Sequence, residues 1–121
     1  MLPKLRLEEP ELTRKAFDKL LLEAIDEALA SLGDSAKQAI YFHLEDKFEI
    51  SRNEIPQHLE DFTAGLDKIF GMGAKFLEIL IMKQLHERIG KSIKWVESKE
   101  LVFIEYVAAT RRNFLKQRKR T

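Results

Sequence analysis

Apolar residues recur along most of this chain at spacings of three and four, the period of a helix with one buried face. Strand-like alternation is scarce. The pattern predicts an all-α protein, a compact bundle of about five helices. The first helix is predicted over about Glu11–Leu32, after an N-terminal arm of residues 1–9. Pro10 suits its first turn. Phe17, Leu21, Ala24, Ile25, Ala28 and Leu32 form its apolar stripe, and Lys15, Lys19, Glu23 and Glu27 decorate the other side. Gly33 can adopt a positive φ and end it.

The second helix follows at once. Ser35 and Gln38 have the spacing of a capping box, and Ile40, Leu44 and Phe48 repeat every four residues up to a stop near Phe48 or Glu49. Residues 49–58 make the main connection. Ser51 and Glu54 have capping-box spacing again, but Pro56 follows too soon for a long helix, so the segment reads as a short turn anchored by Ile50 and Ile55. The third helix covers about Leu59–Phe70, with Leu59, Phe62, Leu66, Ile69 and Phe70 on one face, and Gly71-Met72-Gly73 breaks it.

The fourth helix, about Ala74–Ile89 with Gly90 as its stop, carries Phe76, Leu77, Ile79, Leu80, Ile81, Met82 and Leu85. A helix apolar on more than one face is either central in a bundle or part of an interface. The pattern does not choose between these. If this helix is an interface, Phe76, Ile79, Leu80 and Met82 are the candidate contacts of a homo-oligomer, a dimer in the simplest case. Lys91–Glu97, with Ile93, Trp95 and Val96, reads as irregular or as a short extended segment. A fifth helix starts near Ser98, and Leu101, Ile104, Ala108 and Leu115 are its expected core face.

Composition narrows the function classes. At 121 residues the chain suits one domain, 1–121, large enough for an ordinary core. It has no cysteine, which excludes disulfides and thiolate chemistry and agrees with a reducing, cytoplasmic setting. Residues 1–11 are charged and broken by Pro3 and Pro10, unlike a signal peptide. Apolar runs such as Ile79–Met82 are far too short to span a bilayer, so no membrane partner is expected.

Charge is distributed unevenly. Residues 1–110 hold 15 Lys and Arg against all 20 acids, a net −5. Residues 111–121 hold six basic residues and no acid, a net +6: Arg111, Arg112, Lys116, Arg118, Lys119 and Arg120. If the fifth helix continues, Arg112, Lys116, Lys119 and Arg120 fall close to one stripe. Such a basic tail can follow nucleic-acid phosphates, meet an acidic protein surface, including that of another copy, or simply stay solvated.

No motif points to catalysis, a cofactor or a metal. Gly71-Met72-Gly73 precedes a helix but lacks the rest of a dinucleotide fingerprint. His43, His58 and His86 show no i, i+4 metal spacing. Adjacent acids such as Glu45 and Asp46, or Glu60 and Asp61, do not face each other on a helix. Tyr41, Phe42, Phe48, Phe62, Phe70 and Phe76 have the residue types to line a cavity, but helical spacing favours packing. The expectation is a non-enzyme.

Several segments in combination resemble the archaeal NitrOD-type output domain family, the fifth type of that series. They are Ala39-Ile40-Tyr41-Phe42-His43-Leu44-Glu45, Phe48-Glu49-Ile50, Glu54-Ile55-Pro56, Ile69-Phe70-Gly71-Met72-Gly73-Ala74-Lys75, and Phe103-Ile104-Glu105-Tyr106-Val107 followed by Arg111-Arg112. The similarity spans about residues 35–115. It implies an output module of archaeal signal transduction and carries over no catalytic residue. The combined expectation is a self-associating protein-interaction module. The alternative is a nucleic-acid-binding regulator that uses the basic end of the fifth helix.

Overall fold

The computed structural model describes residues 9–89 and 103–120, with side chains described over 13–89 and 103–116. Among the described residues there are five α-helices and no strand: α1 Glu9–Ala30, α2 Asp34–Phe48, α3 Leu59–Phe70, α4 Ala74–Ile89 and α5 Phe103–Arg120. Two 3₁₀ turns, Arg52–Gln57 and Gly71–Gly73, join α2 to α3 and α3 to α4. The bundle is all-α, as the periodicity predicts. The expected irregular stretch Lys91–Glu97, the start near Ser98 and Leu101 lie outside the described residues.

One hydrophobic core draws on all five helices. The centre of α1 supplies Phe17, Leu21, Ala24, Ile25, Ala28 and Leu29, all buried, because positions three and four apart share a face. The helix ends two residues earlier than expected. Ser31 Oγ donates to the Ala28 carbonyl at 2.6 Å, and the amides of Leu32 and Gly33 close back on Leu29 and Ala30. Leu32 therefore leaves the stripe and is 42% exposed. Gly33, at φ 107, turns the chain straight into α2.

The capping box expected from Ser35 and Gln38 does not form. The N-cap is Gly33, with no side-chain cap bond, because α2 already starts at Asp34 and Ser35 falls inside its first turn. The box at Ser51 and Glu54 does form, and the Ser51 amide donates to Glu54 Oε1 at 3.2 Å. It caps the 3₁₀ turn that drops Ile55 and Pro56 into the core, with Ile50 buried just before it.

α2 and α3 approach closely at Gly65. A Cβ there would sit 2.6 Å from Leu44 Cδ2 and 3.4 Å from Phe48 Cδ2, so a bare backbone is what lets the helices meet. Gly71, at φ 59 and ψ −127, takes the turn after α3 in a conformation that favours glycine. α4 packs against α1 most extensively and also meets α3 and α5.

The core face of α5 differs from expectation. Phe103, Tyr106, Val107, Thr110 and Phe114 are buried, whereas Ile104, Ala108 and Leu115 are only half-buried. The aromatic positions carry more apolar area than the aliphatic ones, and their spacing is also helical, so burying them rotates the helix by about one residue. Phe103 meets Phe62, and Phe114 meets Phe17.

Candidate interaction surfaces

Polar side chains first fix how the elements sit. Asp26 on α1 receives a two-pronged contact from Arg52 on the 3₁₀ turn: Nε to Oδ1 at 3.0 Å and Nη2 to Oδ2 at 2.6 Å. The Tyr41 hydroxyl on α2 donates to the same Oδ1 at 2.5 Å. Burial pushes the Asp26 carboxyl upward, but the hydrogen bonds from Arg52 and Tyr41 outweigh it and hold the group below the usual range. Burial, and then the bond to Asp26, push the Tyr41 phenol well above its ordinary value.

A second clamp ties α5 to the same turn. Arg111 Nη2 lies 3.3 Å from Asp18 Oδ1 and 3.5 Å from the Pro56 carbonyl, and its guanidinium stands over the Phe17 ring at 5.1 Å. Gln57 donates to the other Asp18 oxygen at 2.9 Å. Elsewhere along α1, Arg88 pairs with Glu23 and Glu27, each at 3.7 Å.

These clusters are engaged in holding elements together. The open groove of about 390 Å³ beside them includes Asp18 and Arg52 in its wall, and both are held in the clamps just described. Among the described residues no group of three or more His, Asp or Glu has the arrangement to hold a metal ion. The six aromatics weighed as a cavity lining do not converge: Phe62 is enclosed, Phe42 is 70% exposed and Phe76 is 64% exposed. Among the described residues no helix is long and apolar enough to cross a membrane.

Among the described residues, two outward surfaces stand out. On α4, Ala74, Leu77, Ile81, Met82 and Leu85 face the core. Met82, grouped by sequence with the interface candidates, is therefore a core residue at 2% exposure. It shares the buried face of α4 and not the side that carries Phe76 and Ile79. The outer side holds Met72 at 94%, Phe76 at 64% and Ile79 at 41% exposure, with Leu80 half-buried at the edge. Met72 stands on the 3₁₀ turn that leads into α4. Phe76 is three positions from Ile79 and four from Leu80, so these three share one side of α4 as a row. Charges of both signs border it. Lys75 and Asp67 lie close enough to Glu78 to act on its carboxyl, which burial, then Asp67, raises.

The other surface is on α5, which stays helical through Arg120. Arg111, the first candidate of the basic end, faces inward into the Asp18 clamp and does not belong to the outer stripe. Arg112 and Lys116 are exposed. Arg118, Lys119 and Arg120 lie on the helix, but their side chains are outside the described residues.

Sequence reasoning missed Asp26 and Arg52 as partners. They are 26 residues apart, and nothing local marks either of them. It missed the clamp role of Arg111 for the same reason, since Asp18 is 93 residues away.

No protein-family model matches the chain, no curated protein matches it, and no solved structure matches it.

Proposed function

We propose that this chain is a non-enzymatic protein-interaction module that self-associates through the outer row of α4, and that the paired body serves as an output or adaptor domain in signal transduction. The observation that carries the reading is the row itself: Phe76 and Ile79 stand exposed on a helix whose opposite face is fully enclosed, and Met72 stands exposed on the 3₁₀ turn that leads into it. Isolated surface apolar residues are ordinary, but an aligned set with a polar rim is the composition of an interface.

A second copy is the occupant that fits. The apolar side of α4, turned by a two-fold axis, meets itself with apolar groups on both sides. The rim carries both signs, with Lys75 and Asp67 each near enough to Glu78 to act on its carboxyl. The sequence resemblance to archaeal NitrOD-type output domains agrees with a signalling role.

Light scattering after size exclusion, over a range of protein concentrations, tests the reading. The expected result is a mass of twice 14.1 kDa that falls towards the monomer on dilution. The Phe76→Ser/Ile79→Ser variant should stay monomeric with an unchanged helical spectrum. A wild-type chain that is monomeric at every concentration overturns the self-association.

A further inference from the structure

Beyond self-association, we infer that the outer stripe of α5 is a binding surface for the phosphate backbone of double-stranded nucleic acid. The core face of α5 is Phe103, Tyr106, Val107, Thr110 and Phe114. At about 100° per residue, positions 112 and 116 lie on the side opposite that face, and both residues are exposed. The helix runs without a break through Arg120, which keeps these positions in register.

The division of labour among the basic residues supports the assignment. Arg111, one position earlier, is turned inward and held by Asp18, the Pro56 carbonyl and the Phe17 ring. Arg112 and Lys116 are exposed and outside that clamp. Glu105 stands exposed on the same outer face two turns before Arg112, and no acid follows it on the helix.

The kind of partner follows from what the stripe lacks. Protein interfaces centre on apolar or aromatic anchors and are poor in lysine. The exposed side chains opposite the core face at positions 112 and 116 are Arg and Lys, and the sequence has no apolar anchor beside them at 119, which is Lys. A surface of cations without anchors gains its binding by releasing counterions from a polyanion, and duplex nucleic acid is the dense regular polyanion that rewards it. Base edges are not read by such a surface, so binding is expected to be indifferent to sequence.

The test is fluorescence anisotropy with the full chain and a labelled mixed-sequence DNA duplex, at about 50 mM and about 200 mM salt. The wild type should bind at the lower salt and weaken steeply at the higher. Arg112→Gln/Lys116→Gln should lose about tenfold or more in affinity at the lower salt and reduce the salt slope by about 1.8, the value for two phosphates no longer neutralised. Lys47→Gln/Lys68→Gln removes the same charge from exposed positions on α2 and α3. That variant should bind within about twofold of wild type, since it leaves every phosphate contact of the stripe in place. Three results overturn the inference: no binding at the lower salt, equal reductions for both double variants, or competition by poly-glutamate as effective as by unlabelled DNA. The last would assign the stripe to acidic proteins.

Discussion

α4 and α5 both bury one face in the same core, yet their outer faces differ in kind. α4 and the turn before it carry apolar residues outward at Met72, Phe76 and Ile79, whereas α5 carries Arg112 and Lys116. Their inner faces also differ. α4 is lined by aliphatic residues, and α5 by three aromatics with Val107 and Thr110. Each of these two helices buries one face, so its other face is free to serve solubility or recognition. The contrast separates residues that hold the bundle from residues that are available to partners.

The largest effects should come from the inner faces. On α4, Ile81→Ala is expected to cost about 2–5 kcal/mol in denaturant unfolding, since it empties an enclosed site. Phe76→Ser on the same helix should change monomer stability by about 0.5 kcal/mol or less, as is usual for surface sites. Equal costs would erase the distinction between the two faces of α4.

On α5 the comparison tests the corrected register. Phe114→Ala, which removes the ring packed 5.6 Å from Phe17, should cost about 3 kcal/mol. Leu115→Ala, half-buried one position on, should cost about 1 kcal/mol or less. A reversed order would favour the aliphatic face read from the sequence.

Smaller effects refine the comparison. Thr110 is buried on α5, and its hydroxyl has no well-formed hydrogen bond, although it lies near enough to the Tyr106 phenol to act against the upward push of burial on that group. Thr110→Val keeps the shape and removes the polar atom, so it should raise stability by about 1 kcal/mol, read as an increase in the denaturation midpoint.

The smallest expected signal is in acid. Asp26 titrates below its unfolded value, so the native state binds fewer protons than the unfolded state there. Its contribution is full above the unfolded carboxylate range and is lost as pH falls through the lowered native value. Glu78 on α4 has the opposite sign. Burial and Asp67 raise it, so its contribution declines as pH rises from the ordinary glutamate value through the raised one. Asp26→Asn should flatten the acid limb of stability against pH, while Glu78→Gln should lift stability near neutrality.

Much of the fold was legible because helix periodicity is local. The bounds of α3 and α4, the turn at Ser51–Glu54, and the anchoring of Ile50 and Ile55 all follow from residues within a few positions of one another. The errors fall where distant partners decide. Two apolar stripes competed on α5, and packing against Phe17 and Phe62 chose the aromatic one. Leu32 was lost to a tightened helix end. Met82 was indistinguishable by composition from Phe76 and Ile79 until the neighbouring helices enclosed it. Gly65 gave no signal because close approach is a property of two helices.

The most direct test of the α4 pairing uses the absence of cysteine, which makes any introduced thiol unique. Ile79→Cys and Phe42→Cys are compared for disulfide-linked dimer under mild oxidation. Exposure alone favours position 42, at 70% against 41%. Two-fold pairing of the α4 row predicts that Ile79→Cys links far faster and yields a covalent dimer that survives dilution. Faster linking at position 42, or equal slow rates at both, would contradict it.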